Sequence, residues 1–128
     1  APLRKQFSSK DKKTFVVTRG IDPCTWIYPI NEWNFIQNEL KQLSSLSKTN
    51  RTFLRNHLRH ANILKFDSQG RFVLPQSLID YSAIKKDVTI IGVLNKIEIW
   101  NPNLLRKIDQ SDEIDDQSYE ELSERVNI

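Results

Sequence analysis

The residues best suited to recognition chemistry lie in a short polar turn between two apolar runs, residues 63–66 and 72–74. The turn, residues 67–71, reads D-S-Q-G-R: an aspartate whose carboxylate can cap a tight turn, and a glycine that accepts the positive φ such a turn needs. Two β-prone runs around a glycine-containing turn predict a β-hairpin. Pro75 cannot continue a central strand, so we expect the chain to leave the sheet there into a short helix.

The side chains of this turn carry hydrogen-bond donors of the kind that read base edges in double-stranded DNA. An arginine can bridge the two major-groove acceptors of guanine, and Gln69 can contact a neighbouring base edge. Lys65, on the first arm, can neutralise a phosphate. By side-chain chemistry, the candidate DNA contacts are therefore Lys65, Gln69 and Arg71. A simpler interpretation also fits the spacing: Asp67 and Arg71 form an exposed ion pair across the turn and have no other role.

Charge is unevenly distributed along the chain. Residues 1–108 carry 18 Lys and Arg against 8 Asp and Glu, whereas residues 109–128 carry only Arg125 against 8 acids. A small basic body predicts a polyanionic partner. The acidic end is either a solvated tail, which is the simpler interpretation, or a segment that folds back on the basic surface and competes with the ligand.

Composition argues against several classes of protein. No run of about 18 apolar residues could span a membrane, and neither a signal peptide nor a twin-arginine pattern appears at the start. The single cysteine, Cys24, excludes an internal disulfide, fits a reducing cytosol and is expected to be a buried, inert thiol in a strand. The chain contains no methionine, so we expect it to begin partway through a longer protein.

The motifs predict neither an active site nor a metal site. The chain lacks a G-x-S-x-G nucleophile turn, a Walker loop and a glycine-rich dinucleotide loop, so we expect no catalysis, no cofactor and no small-molecule substrate. His57 and His60 lie three residues apart on one predicted helix, but no Cys, Asp or Glu on that helix completes a metal site.

Hydrophobic patterns predict an α+β protein. Besides the hairpin, we expect strands at 15–18, 24–28, 88–93 and 97–100, with Gly92 and Asn95-Lys96 marking the turn between the last two. Short helices are expected at 1–10, at 76–81, from 103 onwards and at 118–126.

Two longer helices are predicted in the middle of the chain. Asn31 is expected to cap the first, which runs to about residue 46. The second, at about 50–60, places Arg51, Arg55 and Arg59 along one face, either as a solvated stripe or along a phosphate backbone. The core stripe expected on the first helix consists of Trp33, Ile36, Leu40 and Leu43.

The chain also matches itself at an offset of 72 residues, which aligns Gly20 with Gly92 and Tyr28 with Trp100. Both halves read helix, loop, strand, glycine-containing turn, strand ending in an aromatic residue, and helix. This indicates two copies of one β-rich unit. In the second copy the Asp67 hairpin comes first, so the hairpin of the first copy would lie before the first residue.

The order and spacing of these segments resemble the MraZ family. The matching segments are T-R-G-I-D-P-C-T-W-I-Y-P and N-E-W in the first half, and D-S-Q-G-R-F-V-L-P, K-K-D-V-T-I-I-G-V and N-K-I-E-I-W in the second. The resemblance implies two SpoVT/AbrB-like units in an intertwined swapped-hairpin barrel, with helices between the copies and at the C-terminus. It also implies a cytoplasmic, nucleoid-associated transcriptional regulator of the division and cell-wall gene cluster, acting as a homo-oligomeric ring on short G-rich direct repeats.

The family's D-x-x-x-R motif, one copy per unit, is associated with its DNA-binding surface and is matched here only by Asp67 and Arg71. The resemblance therefore adds Asp67 to the candidate DNA-binding residues Lys65, Gln69 and Arg71. The implied division of the chain is 1–31 for the first unit, 32–60 for the connecting helices, 61–106 for the second unit and 107–128 for the acidic tail. We also expect subunits to associate through the β body, because a missing first hairpin would leave strand edges uncovered. The alternative function is an AbrB-type antitoxin, or another interaction protein that uses the acidic tail.

Overall fold

The computed structural model describes residues 14–126, which contain five strands and five helices. The strands are β1 (Thr14–Arg19), β2 (Thr25–Pro29), β3 (Asn62–Lys65), β4 (Thr89–Val93) and β5 (Lys96–Trp100). The helices are α1 (Ile30–Leu40), α2 (Lys48–Arg59), α3 (Gln76–Tyr81), α4 (Pro102–Ser111) and α5 (Asp116–Arg125). The predicted α+β class is therefore confirmed, and the helix expected at 1–10 lies outside the described residues.

All the described strands belong to one antiparallel sheet in the order β3-β1-β2-β5-β4. Strands of the two repeat copies are interleaved, because β1 pairs with β3 and β2 pairs with β5. The two copies are thus joined in one body. The swapped-hairpin barrel stays a prediction, since β3 and β4 are the edges of the sheet formed by residues 14–126.

The sheet is covered on both faces, and β1 is buried from both sides. Phe15 and Val17 point into a core that includes Leu78 of α3, whereas Val16 points to the other face, where Trp33 of α1 packs. A strand buried on both faces reads as a continuous apolar run, which explains why F-V-V was recognisable as a strand. Further members of the first core are Ile27 and Ile99, with Leu64, Phe66, Phe72, Leu74, Ile84 and Ile97 at its margin.

Helix α1 is shorter than predicted and begins earlier. It follows directly from β2, with Pro29 at the N-cap, so the assignment of Asn31 as the cap is wrong. The helix ends at Leu40, well before residue 46, and the chain continues in tight turns: the N–H of Gln42 donates to the carbonyl of Glu39 and that of Leu43 to the carbonyl of Leu40, both at 3.1 Å. Leu43 consequently falls outside the helix and is exposed, while Trp33 is buried as expected.

Helix α2 begins two residues before the predicted start, because Ser47 caps it. The Oγ of Ser47 accepts from the N–H of Asn50 at 3.2 Å. On the side of the sheet that carries Trp33, the hydroxyl of Thr18 donates to the carbonyl of His57 at 2.8 Å, which ties α2 to β1. No helix of residues 14–126 is long and apolar enough to cross a bilayer.

The predicted hairpin is only partly correct. Its first arm is β3, but β3 pairs with β1, in register from Lys65 opposite Thr14 to Asn62 opposite Val17. The second arm, residues 72–74, belongs to no strand of the described chain. It diverges because alternate side chains, Phe72 and Leu74, pack into the core beneath β1. Pro75 then caps α3, which occupies the predicted residues 76–81.

The turn between β4 and β5 also differs from the prediction. Gly92 lies inside β4 opposite Ile97, and the connection is Leu94-Asn95. Leu94 has a φ of 53° and is 94% exposed. This first central position of a two-residue hairpin loop is the one at which a type II′ turn places glycine.

We expect Leu94→Gly to raise the free energy of unfolding by roughly 0.5–1 kcal/mol, because glycine removes the left-handed strain while an exposed side chain is lost. Urea unfolding of the two proteins measures the difference. Leu94→Ala, which keeps the strained Cβ, is the matched control and should bring no gain. A destabilised glycine variant would contradict the turn geometry.

A second prediction concerns His57, which is buried and stacks between Phe53 and Trp33 with ring centroids 5.6 and 5.8 Å away. Burial lowers the pKa of His57 from its ordinary value of 6.5, so a proton binds the unfolded chain more readily. The contribution to stability is therefore complete above pH 6.5 and is lost as the pH falls towards the lowered pKa. We expect the free energy of unfolding to fall less between pH 7.5 and pH 5 in His57→Phe than in the wild type, as measured by urea unfolding. An equal fall in the two proteins would contradict this prediction.

Candidate nucleic-acid interface

The turn at residues 67–71 is organised by one carboxylate. The Oδ1 of Asp67 accepts hydrogen bonds from the backbone N–H groups of Gln69 and Arg71, both at 2.8 Å. The backbone closes the same loop: the N–H of Asp67 donates to the carbonyl of Arg71 at 2.7 Å, and the N–H of Gly70 donates to the carbonyl of Asp67 at 3.0 Å. The predicted capping role of Asp67 is confirmed.

Gly70 supplies the backbone conformation that this loop requires. Its φ is 76°, and an added Cβ would meet no atom within 4 Å. Other residues are therefore disfavoured at position 70 by the left-handed backbone conformation and not by lack of space.

The side chain of Arg71 is held at one atom and exposed elsewhere. Its Nε donates to the Oδ2 of Asp67 at 3.2 Å, so the ion pair foreseen from the spacing is present. The Arg71 side chain is nevertheless 71% exposed, and no described residue accepts a hydrogen bond from its terminal guanidinium nitrogens. The pair orients the guanidinium and leaves these nitrogens available to a ligand.

The electrostatics of the turn favour an ionised Asp67. The backbone N–H of Arg71 lowers the pKa of Asp67 from its ordinary value of 3.8, and the N–H of Gln69 and the Arg71 side chain act in the same direction. Because hydrogen bonds to the charged form cause the shift, the turn is best formed when the carboxylate carries its charge.

Three phenylalanines anchor the turn to the body of the protein. Phe66 and Phe72 lie immediately outside the turn and meet each other edge to face at 5.7 Å. Both contact the buried Phe15 of β1, with centroid distances of 4.5 and 4.9 Å. The sequence analysis treated Phe66 and Phe72 only as strand residues, although their symmetric placement around D-S-Q-G-R was a readable signal. They fix both ends of the turn to one core side chain.

The structure brings the four candidate residues to one end of the sheet. Asp67, Gln69 and Arg71 share the turn, and Lys65 ends β3 next to it; all four are exposed. The arginine stripe of α2 does not extend this surface. Arg59 and Arg19 lie near His60, whose pKa is lowered by burial and by these two charges, at the opposite end of β1 from the turn.

Cys24 and the histidines give no sign of chemistry. Cys24 is the last loop residue before β2 and is fully buried, and this burial, with Glu98 and Asp22 nearby, raises the pKa of its thiol to about 12. The thiol is therefore protonated at neutral pH. Within residues 14–126, no group of three or more His, Cys, Asp or Glu side chains could hold a metal ion.

These features define a two-copy α+β protein that presents a preorganised, arginine-bearing turn at one end of its sheet. The family model described as "MraZ protein, putative antitoxin-like" matches residues 1–56 and again residues 57–126. The chain belongs to the MraZ family.

Several curated relatives carry the name "Transcriptional regulator MraZ". The protein of Natranaerobius thermophilus is 40% identical over 112 residues, covering 88% of this chain and 76% of the relative. That of Clostridium botulinum (strain Alaska E43) is 40% identical over 125 residues, covering 98% and 82%. That of Clostridium beijerinckii is 36% identical over 127 residues, covering 99% and 84%.

We expect Asp67→Ala to loosen the turn without unfolding the sheet, because the acceptor of two backbone N–H groups disappears. Hydrogen exchange of the Gln69 and Arg71 amides should accelerate, while the amides of β1 keep their protection. Asp67→Asn, which retains an acceptor oxygen, should give an intermediate rate.

The same amides should lose protection in the wild type as the pH falls. Because the pKa of Asp67 is lowered by folding, the ionised carboxylate stabilises the turn fully above pH 3.8, the ordinary pKa of an aspartate. This stabilisation is lost as the pH falls through the lowered pKa. Unchanged exchange in Asp67→Ala would show that the carboxylate does not organise the turn.

Proposed function

We propose that this protein is a sequence-specific DNA-binding transcriptional regulator that acts as an oligomer. The observation that carries the proposal is the turn itself: Asp67 fixes the backbone and the Nε of Arg71, while the terminal guanidinium nitrogens have no partner among the described residues. A preorganised arginine loses little conformational freedom when it binds, so a single side chain can contribute strongly to recognition. The relatives' names as transcriptional regulators support the same function.

Each turn residue has a role in this mechanism. Arg71 donates to the O6 and N7 acceptors of a guanine in the major groove, and Gln69 contacts a neighbouring base edge. Lys65 neutralises a backbone phosphate, which makes affinity depend on salt. Asp67 acts indirectly, as the residue that positions Arg71.

One turn reads few base pairs, and this limitation calls for several copies. A ring of subunits that presents its turns to short direct repeats gains affinity because each later contact is made at high effective concentration. We propose that such repeats lie in the promoter of the division and cell-wall gene cluster. The protein then works in the cytoplasm, associated with the nucleoid.

An antitoxin is the second candidate, and the acidic helix α5 favours it together with the family description as antitoxin-like. Deletion of residues 112–128, which leaves α4 whole, separates the two functions. The regulator keeps its affinity for a duplex with a single repeat, whereas an antitoxin that grips its partner through the tail loses that partner.

We expect Arg71→Ala to weaken binding to the cognate repeat by about 1–3 kcal/mol and to weaken binding to a scrambled duplex much less. If Arg71 touches only phosphate, both duplexes weaken together and the salt dependence falls by about one unit of slope. Titration of both duplexes at two salt concentrations distinguishes these results.

The matched control for this experiment is Arg106→Ala, an exposed arginine of α4 that the proposal leaves unused. It should bind like the wild type. If Arg71→Ala leaves affinity for both duplexes unchanged at both salt concentrations, the ion pair with Asp67 is only structural and the proposed site is wrong.

A further inference from the structure

The two C-terminal helices are the least supported part of the described chain. Both are well capped: Asn101 accepts from the N–H groups of Asn103 and Leu104, and Asp115 accepts from the N–H of Ser118. Yet neither α4 nor α5 contains a single buried residue. Helices of 10 residues are marginal in water by themselves, since most helical stability comes from packing an apolar face. Among residues 14–126, helix α5 thus has no packing partner of the kind that a helix of this length needs.

Helix α5 has a face suited to such a partner. Tyr119, Leu122 and Val126 follow one another at spacings of three and four residues, so they form one stripe. All three are exposed, with values of 64% for Tyr119 and 61% for Val126. The stripe is set in a strongly acidic segment, because residues 109–124 carry eight Asp and Glu and no Lys or Arg.

Helix α2 has the complementary surface. The half-buried Leu54 and the exposed Leu58 are four residues apart and so share one side of the helix, beside Arg51 and Arg55, which show the same spacing. Leu58 is exposed, and Leu46 in the preceding loop is 91% exposed. Arg51 fixes this loop to the helix, because its Nη1 donates to the carbonyls of Ser45 and Leu46 at 2.9 and 3.0 Å. Residues 41–60 carry five Lys and Arg and no Asp or Glu.

We propose that the acidic, apolar face of α5 docks on the basic, apolar face of α2 in a second copy of this chain. Apolar stripes flanked by opposite charges are the arrangement that pairs amphipathic helices and fixes their choice of partner. The docking buries Tyr119, Leu122 and Leu58, and it places Glu120 and Glu121 among the cations of α2. Docking between chains explains why the apolar faces of α5 and α2 are both exposed among the described residues of a single chain. It also explains why no described Asp or Glu pairs with Arg55.

The occupant is a second copy because residues 14–126 of one chain leave both surfaces uncovered and the two surfaces carry opposite charge. Two different surfaces make a heterologous contact, in which every subunit gives α5 to one neighbour and receives α5 from another. Such contacts generate rings when the rotation closes. The inference rests on the oligomer of the proposed function and identifies the surfaces that hold it together.

The first test removes the apolar stripe in the full chain. Tyr119→Ser with Leu122→Ser alters only exposed side chains, so the protomer should fold as before. In sedimentation velocity at micromolar concentration, we expect the wild type to sediment as a multiple of the protomer and the double variant to shift towards the mass of one protomer. Leu94→Ser, at an equally exposed leucine outside α5, is the matched control and should sediment like the wild type. A double variant that sediments like the wild type, or a control that dissociates equally, overturns the proposal.

The second test exchanges the charges and asks whether the contact is between chains. One variant carries Glu120→Lys with Glu121→Lys, and the other carries Lys48→Glu with Arg55→Glu and Arg59→Glu, which leaves Arg51 as the only Lys or Arg of α2. Each should dissociate alone, because its α5 and α2 then bear charges of the same sign. Mixing the two variants should restore the large species, since the basic α5 of one fits the acidic α2 of the other. A mixture that stays dissociated overturns the proposal. This is the result expected if α5 docks on α2 of its own chain, because mixing then brings no complementary helices together.

DNA binding separates this inference from the proposed function. The Glu120→Lys, Glu121→Lys variant should bind a duplex with one repeat within about threefold of the wild type, while losing at least tenfold on a duplex with several repeats. Arg71→Ala should show the opposite pattern, with intact assembly and weakened binding to one repeat. If the wild type binds no repeat, the proposed function fails, and sedimentation still decides the α5–α2 contact. If the wild type itself sediments as a monomer, the inference fails.

Discussion

A single carboxylate bridges two tryptophans at the middle of the sheet, where the paired strands β2 and β5 join the two repeat copies. Glu98 of β5 lies opposite Trp26 of β2, and its Oε2 accepts from the indole Nε1 of Trp26 at 3.0 Å. Its Oε1 accepts from the Nε1 of Trp100, also at 3.0 Å. The ammonium group of Lys96 lies over the Trp26 ring at 4.6 Å. Without this carboxylate, two partly buried indole N–H groups would lose their acceptors where the β1–β2 and β4–β5 hairpins meet, and such losses are costly.

The position of Glu98 also explains the sequence repeat. Trp26 and Glu98 are 72 residues apart, which is the repeat offset, and they face each other across the β2–β5 pair. On either side of this pair, Thr25 lies opposite Ile99 and Ile27 lies opposite Ile97. In the repeat, Thr25 corresponds to Ile97 and Ile27 corresponds to Ile99, so the repeat converts each of these two pairs into the other. An approximate two-fold axis therefore passes between the two strands. The symmetry weakens away from the axis. Residues 20–24 connect β1 to β2, whereas two residues connect β4 to β5, and β1 has β3 as a second neighbour while β4 has none among residues 14–126.

Sequence reasoning succeeded where the determining contacts are local. The apolar run around Val16 identified β1, and the turn chemistry of Asp67 and Gly70 identified the loop and its ion pair. It failed where a distant partner decides the outcome: β3 was assigned to the wrong neighbour because the register that joins it to β1 spans some 50 residues. The anchoring of the turn by Phe15 was missed for the same reason. The start of α2 was displaced by a local cap, since the Ser47 hydroxyl accepts from the N–H of Asn50.

The separation of the turn from α2 shapes how the protein can work. The two features lie at opposite ends of β1, and its six residues span roughly 17 Å. In the proposed function, a chain that presents one turn reads a short site, and the basic helix does not widen that site because it lies at the other end of the strand. Affinity then has to grow by adding copies of the turn, which requires contacts between subunits. A basic, partly apolar helix placed away from the reading surface and an acidic, partly apolar helix without a core are suited to supply them. In the proposed assembly, the charge asymmetry that predicts a polyanionic partner also draws the subunits together.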